Sequence, residues 1–297
     1  MSAITEPIPF RLLVDEAVKW TRRHFRAMYL PVAVPISIVN GLIPVAQALW
    51  FTSMFNPEAS PGPAQMFVGM GAFLAVTLLA GVVWGLGYEA LLQAATDAVQ
   101  GQPMSMKHAW IFTIRPRVFG TSVLAGLCVV VGCVFCLLPG LFLGLLFSML
   151  VPVMAAERLY GMDAITRSAQ LVRYNPMGGI GNSPLLKVFL IFFLGYLLSG
   201  AVGMAVQLPF IVAQQILIFR AAAEGASDPA SVMSTAVWLQ VPGNMLNGLV
   251  TTAVQLYMSF ALVLFYVDLR RRQEGGDLEA AIREMRGPEG APPVVSG

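Results

Sequence analysis

The chain has 297 residues, 57% of them hydrophobic and 11% charged, with a formal net charge of +2 and a mean hydropathy of +0.73. A soluble domain carries about 25% charged residues, so this composition excludes a water-soluble globular protein and defines an integral membrane protein. A net charge this small gives no basis for nucleic-acid binding, and the basic residues stand where membrane topology puts them.

Residues 1–26 carry charges throughout and contain no short apolar core ending at a small-residue cleavage site, so they do not read as a cleavable signal. The stretch 10–26, FRLLVDEAVKWTRRHFR, is amphipathic at helical period. Arg11, Asp15, Lys19, Arg22, Arg23 and Arg26 gather on one side; Phe10, Leu13, Val14, Ala17, Val18, Trp20 and Phe25 gather opposite, with Leu12 the exception. A basic amphipathic helix beside a span is expected to lie in the headgroup plane.

The first span reads as 27–51, with Pro31, Pro35 and Pro44 as sites for kinks. The loop 52–65 contains Glu58 and no Lys or Arg. The second span reads as 67–95, with Gly81 and Gly85 at a spacing that permits close helix approach. A polar turn and a second amphipathic segment fill 95–117. The third and fourth spans, 118–138 and 141–156, are separated only by Pro139-Gly140, which predicts a tight helical hairpin turning there. A third amphipathic segment occupies 163–175, with Ile165, Ser168, Ala169 and Val172 on one face.

Residues 175–184, NPMGGIGNSP, have loop chemistry but lack the preceding strand and following Lys-Ser/Thr pair of a phosphate cradle. The fifth stretch, 185–219, would run ~50 Å against a hydrocarbon core of ~30 Å, which predicts a tilted helix or a break at Pro209. Residues 221–235 are small and polar, and the sixth span reads as 237–267. The chain thus divides into an N-terminal amphipathic helix (1–26), a six-span all-α membrane domain (27–272) and a tail (273–297). The tail is expected to hold a last surface helix at 277–285 and a disordered end at 287–297.

Cys128, Cys133 and Cys136 share one apolar run. The C-x-x-C spacing of the last two suits redox or zinc chemistry, but no His, Asp or Glu stands nearby, and cysteine as a small buried hydrophobe is the simpler reading. No metal or cofactor is expected.

Of the 18 Lys and Arg residues, all but Arg220 fall on the side of the termini when six spans are drawn. The positive-inside rule then places both termini in the cytoplasm. The unit of two spans and a surface helix repeats: Asp97, Gly101, Lys107-His108-Ala109 match Glu157, Gly161, Arg167-Ser168-Ala169 at an offset of 60 residues. Asp268 sits at the corresponding exit of the sixth span.

The end of the sixth span, Tyr266-Val267-Asp268-Leu269-Arg270-Arg271-Arg272-Gln273-Glu274-Gly275-Gly276-Asp277-Leu278-Glu279, and the segment from Gly161 to Leu171 resemble one family. It comprises the membrane domain of glycerophosphoryl diester phosphodiesterases and related bacterial multi-span membrane proteins. In hydropathy the resemblance covers most of the chain, in motif about 50 residues; the basic run from Arg271 to Gly276 is denser than the family's. It implies a bacterial cytoplasmic membrane protein linked to lipid or envelope metabolism. The phosphodiesterase chemistry of fused members belongs to a separate soluble barrel, so no catalytic residue carries over.

Charges within the membrane are functional candidates. Glu89, in the inner half of the second span, reads either as the partner of a surface-helix Lys or Arg or as a proton or ion relay. Glu157 and Asp268, beside Arg158 and Arg270, read as interfacial ion pairs that fix the surface helices. Asn40, Gln47, Gln207, Gln214, Gln215, Asn244, Asn247 and Gln255 fall mostly at similar depth in three stretches. They read either as the lining of an outward polar cavity or as interhelical hydrogen bonds worth ~0.6 kcal/mol each. Arg22, Arg23, Arg26, Arg270, Arg271 and Arg272 are candidates for contact with anionic headgroups at ~1 kcal/mol per charge.

Three functions follow. The first is a non-enzymatic scaffold or accessory protein whose basic surface binds anionic lipid or a protein partner. The second is a transporter or lipid-translocating protein using the carboxamide cavity. An intramembrane enzyme comes last, since the spans hold no Ser-His, paired-Asp or HExxH arrangement.

Overall fold

A computed structural model describes residues 9–55, 63–174, 183–224 and 229–286. The helices among them are α1 (Phe10–Phe55), α2 (Pro63–Val99), α3 (Met106–Ile114), α4 (Pro116–Phe135), α5 (Leu137–Leu146), α6 (Leu150–Glu157), α7 (Met162–Arg173), α8 (Pro184–Ala223), α9 (Pro229–Trp238) and α10 (Gln240–Arg286). No strand occurs among the described residues. Six stretches are long and apolar enough to cross a bilayer: α1, α2, α4, α5 with α6, α8, and Thr235–Gly275. The protein is an all-α, multi-pass membrane protein.

Side-chain contacts set the directions. Tyr29 reaches the carbonyl of Leu249 and Ser37 that of Met245, so α1 and α10 are antiparallel. Trp50 stacks on Phe73 while Gly87 faces Val32 and Ile36, so α2 returns along α1. Gln207 pairs with Asn244 and Gln214 with Gln240, which sets α8 antiparallel to α10. The start of α1 and the end of α10 therefore share one end of the bundle, the end that carries most of the arginines.

Large exposed apolar side chains form a belt: Leu30 to Leu49 on α1, Phe67 to Trp84 on α2, Phe119 to Phe135 on α4 and Phe189 to Phe219 on α8. On α1 and α2 this belt is ~26–29 Å tall at 1.5 Å per residue, the height of a hydrocarbon core of ~30 Å. The main buried cluster lies toward the basic end, largely below that belt. It is built on the middle of α10, where Leu256, Phe260, Leu262, Val263, Phe265, Tyr266 and Leu269 are buried. Leu13 and Ala17 of α1, Ala90, Ala94 and Ala95 of α2, Met154 of α6, and Ala164 and Leu171 of α7 pack around it. The alanines on α2 let that helix approach closely, as small residues do at membrane helix interfaces.

Several expected boundaries move. The stretch 10–26 is not a separate helix in the headgroup plane: α1 runs unbroken for 46 residues through Pro31, Pro35 and Pro44. Its apolar side is covered by protein, with Trp20 and His24 against Phe260. The hairpin between the third and fourth spans turns at Cys136, whose backbone is extended (φ −166°, ψ 137°), and not at Pro139-Gly140, which lie in the first turns of α5. Proline is tolerated there because the first turn of a helix has no internal partner for its N–H. The fourth span is itself broken at 147–149 into α5 and α6. Pro209 does not break α8, which continues for 40 residues. Gly275-Gly276 does not separate a tail helix, since α10 is continuous to Arg286. Residues 229–235, read as irregular, belong to helix α9. All three cysteines are exposed on the belt and not buried. The loop with Glu58 at 56–62, most of 175–184, Asp228 and the end 287–297 lie outside the described residues.

The α4–α5 hairpin depends on glycine. Gly140 packs on the backbone of Cys133, and a Cβ on Gly132 would lie 3.0 Å from the Gly140 Cα. Gly126, by contrast, has open space around it. Gly140→Leu should therefore destabilise the protein by about 1–3 kcal/mol through overpacking, read as a lower melting temperature in detergent, whereas Gly126→Leu should leave it unchanged.

Candidate functional site

Three of the eight carboxamides predicted for a shared cavity, Gln207, Gln214 and Asn244, are hydrogen-bonded across a helix seam. Gln207 Nε2 donates to Asn244 Oδ1 at 3.1 Å, and Gln240 Nε2 donates to Gln214 Oε1 at 2.7 Å. The Asn247 Oδ1 lies 2.6 Å from where a Cβ on Gly203 would be, so only glycine admits it, and it is buried with no hydrogen-bond partner. Asn40 packs in the same way on Gly248. Gln47 is half-buried on α1, and Gln215 is exposed on α8. Gln207, Gln214, Asn244 and Asn247 thus sit on the seam of α8 with α10, and Asn40 on the seam of α1 with α10, in the half away from the basic end. Sequence depth alone could not separate the two readings, because partners and cavity walls share the same height.

Gln255 stands apart. It is 6% exposed, and neither its amide nitrogen nor its amide oxygen meets a protein partner. It faces a small cavity of ≈ 90 Å³ between α2, α8 and α10, lined also by Trp84, Tyr88, Phe192, Tyr196 and Ser199. The Tyr88 hydroxyl oxygen is likewise buried with no hydrogen-bond partner. Glu89, the next residue, has Ser122 of α4 as its polar neighbour. It forms no ion pair among the described residues, and its Oε2 is buried and unbonded. The expected partnership with a surface-helix Lys or Arg is not formed, because Glu89 sits at the inner edge of the belt and faces α4.

At the basic end the charges are organised around Glu157, the last residue of α6. Its Oε1 accepts from the Tyr266 hydroxyl at 2.9 Å, and its Oε2 accepts from Arg167 Nε at 2.9 Å. Arg167 Nη1 donates onward to Gln273 Oε1 at 2.9 Å. One carboxylate thus ties α6 to α7 and α10. The chain reaches α7 through Gly161, whose φ of 66° favours glycine and whose N–H donates to Thr121 Oγ1 at 2.8 Å. Ser168 then pins α7 on the Leu146 carbonyl at 2.7 Å. The turn after α2 has the same form: Gly101 has φ 72°, and Asp97 accepts from Gln93 at 2.9 Å and lies 4.0 Å from His108.

The arginines predicted to meet lipid divide. Arg22, Arg23, Arg26 and Arg271 are exposed. Arg270 is partly exposed and pairs with Glu274 at 2.6 Å. Arg272 is buried and paired with Asp268, so it is a structural cation and not a headgroup contact. In sequence the three look alike; the helix period of α10 turns only Arg272 inward. Tyr88, Tyr266 and Gln273 were not singled out as site residues. Nothing in their local sequence marks them, since each gains its role from a distant helix.

Comparison with family models, with curated proteins and with solved structures finds no match. The class that fold and site define is a polytopic helical membrane protein with a buried ionic cluster at one end.

Removal of the hub carboxylate strands a buried hydroxyl and a guanidinium. Glu157→Ala should cost about 1.5–3 kcal/mol, whereas Arg23→Ala on the exposed face should stay within about 0.5 kcal/mol. Thermal unfolding in detergent, followed by circular dichroism, checks both.

Proposed function

We propose that the protein is a non-enzymatic scaffold or accessory protein of a bacterial cytoplasmic membrane, with both termini in the cytoplasm and a link to lipid or envelope metabolism. What supports this reading is the pairing of polar groups across the seams of α8 and α1 with α10. Gln207–Asn244, Gln240–Gln214 and Ser37 with the Met245 carbonyl satisfy polar groups between helices. A transporter using these carboxamides would need them turned toward a solute path. In this reading the exposed Arg22, Arg23, Arg26 and Arg271 attract anionic headgroups at the inner leaflet. The acid–glycine–helix turns at Asp97–Gly101 and Glu157–Gly161 are the repeated device that holds short helices beside them.

The seam is tested by Gln207→Leu with Asn244→Leu in proteoliposomes. The scaffold reading expects a loss of stability near ~0.6 kcal/mol and no solute flux in either protein. Flux across wild-type vesicles that the double variant abolishes would establish transport instead. For lipid, replacing Arg22, Arg23, Arg26 and Arg271 with Gln should remove co-purifying phosphatidylglycerol, at ~1 kcal/mol per charge near the surface, as read by native mass spectrometry. Arg272→Gln should act on stability and leave lipid retention in place.

A further inference from the structure

The cavity at Gln255 adjoins a second, larger space. Phe192 and Tyr196 of α8 line both. The second is a cleft of ≈ 510 Å³ between α8 and the α4–α5 hairpin, walled by Cys133, Leu137, Leu141, Gly144, Phe189 and Phe193. The first space offers unused hydrogen-bonding atoms: the Gln255 nitrogen and oxygen and the Tyr88 hydroxyl, all buried. The walls of the second are mainly apolar. No charged residue lines either.

Buried polar atoms without partners are costly, and three of them belong to residues that line this cavity. A ligand that satisfies them must present both an acceptor for Tyr88 or the Gln255 NH₂ and a group near the Gln255 oxygen. It must be uncharged at this point, because a phosphate buried without a cation is strongly disfavoured, and the nearest ionisable group in sequence is the acid Glu89. Its body must be apolar, to fill the cleft. Trp84, exposed at the mouth of the small cavity, stands at the end of the belt on α2, where amphipathic rings meet the headgroup boundary, and Tyr196 is exposed at the same mouth.

We propose that this composite space binds one neutral lipid, its uncharged hydroxyl- or carbonyl-bearing head on Gln255 and Tyr88 and its chain in the cleft between α8 and the hairpin. The site stands independently of the scaffold reading. Diacylglycerol and an isoprenoid-tailed quinone share this chemistry, and the two arms of the test separate them.

The test uses the full chain in phosphatidylcholine nanodiscs, with Trp20, Trp50, Trp110 and Trp238 replaced by Phe so that Trp84 reports alone. The probes are diacylglycerol with a dibrominated chain, the quinone, and dibrominated phosphatidylglycerol as reference. Saturable quenching of Trp84 by one neutral probe is expected, at a half-saturation about tenfold below any effect of the reference. Gln255→Leu with Tyr88→Phe should raise that half-saturation about tenfold, the loss of hydrogen bonds worth about a factor of ten in affinity. Displacement by the unbrominated diacylglycerol or by excess reduced, non-quenching quinone tests the intact pocket, so that a variant that fails to fold does not decide the matter. Quenching that rises without saturation and equally for all three probes, or that a folded double variant leaves unchanged, overturns the proposal.

Discussion

A hydrocarbon layer offers no hydrogen-bond partner, so every polar group inside it must find one within the protein or carry a cost of several kcal/mol. This constraint arranges the whole chain. It makes the backbone of the described residues helical almost everywhere, with no strand among them. It sends carboxamides across helix seams, as at Gln207 and Asn244. It also drives most of the charge to one end, where Glu157 accepts from Tyr266 and Arg167 and Asp268 holds Arg272. What holds the bundle together is therefore uneven. The outer half relies on close apolar packing and a few amide pairs, and the inner end on a dense core under a net of charge-assisted bonds.

That unevenness explains which features were legible in the sequence. The six apolar runs and their limits by charge gave the all-α multi-pass class, because burial in lipid leaves a continuous hydropathy signal. Gly101 and Gly161, each four residues after an acid in the sequence, both have positive φ. Where helices end was much less legible. Proline and glycine signal breaks in water, yet α1 passes through Pro31, Pro35 and Pro44 and α10 through Gly275. The hairpin turns at Cys136, which carries no turn chemistry, because the glycines at 132 and 140 fix the close approach of its two arms. The basic stretch 10–26 looked interfacial because amphipathicity shows only that one face is covered, and here Phe260 covers it rather than lipid.

The candidate site was legible only in part. Gln255 and Glu89 were visible as polar residues in apolar runs, and both retain buried unbonded atoms. Gln255 lies with Tyr88 and Ser199 around one small cavity, while Gln207, Gln214 and Asn244 are bonded across helix seams further from the basic end. The arginine triplet shows the same limit. Three consecutive cations differ in role because a helix turns each by about 100°, and only Arg272 meets Asp268.

The central claim is that the polar net lies at one face and that all six crossings return to it. The most direct measurement is accessibility of single cysteines to a membrane-impermeant maleimide, in a chain whose Cys128, Cys133 and Cys136 are replaced by Ala. Cysteines placed at Glu58 and Asp228 should react in intact cells, and one placed at Lys107 only after permeabilisation. Reaction at Lys107 in intact cells, or protection of Glu58 and Asp228 until the membrane is opened, would contradict the account.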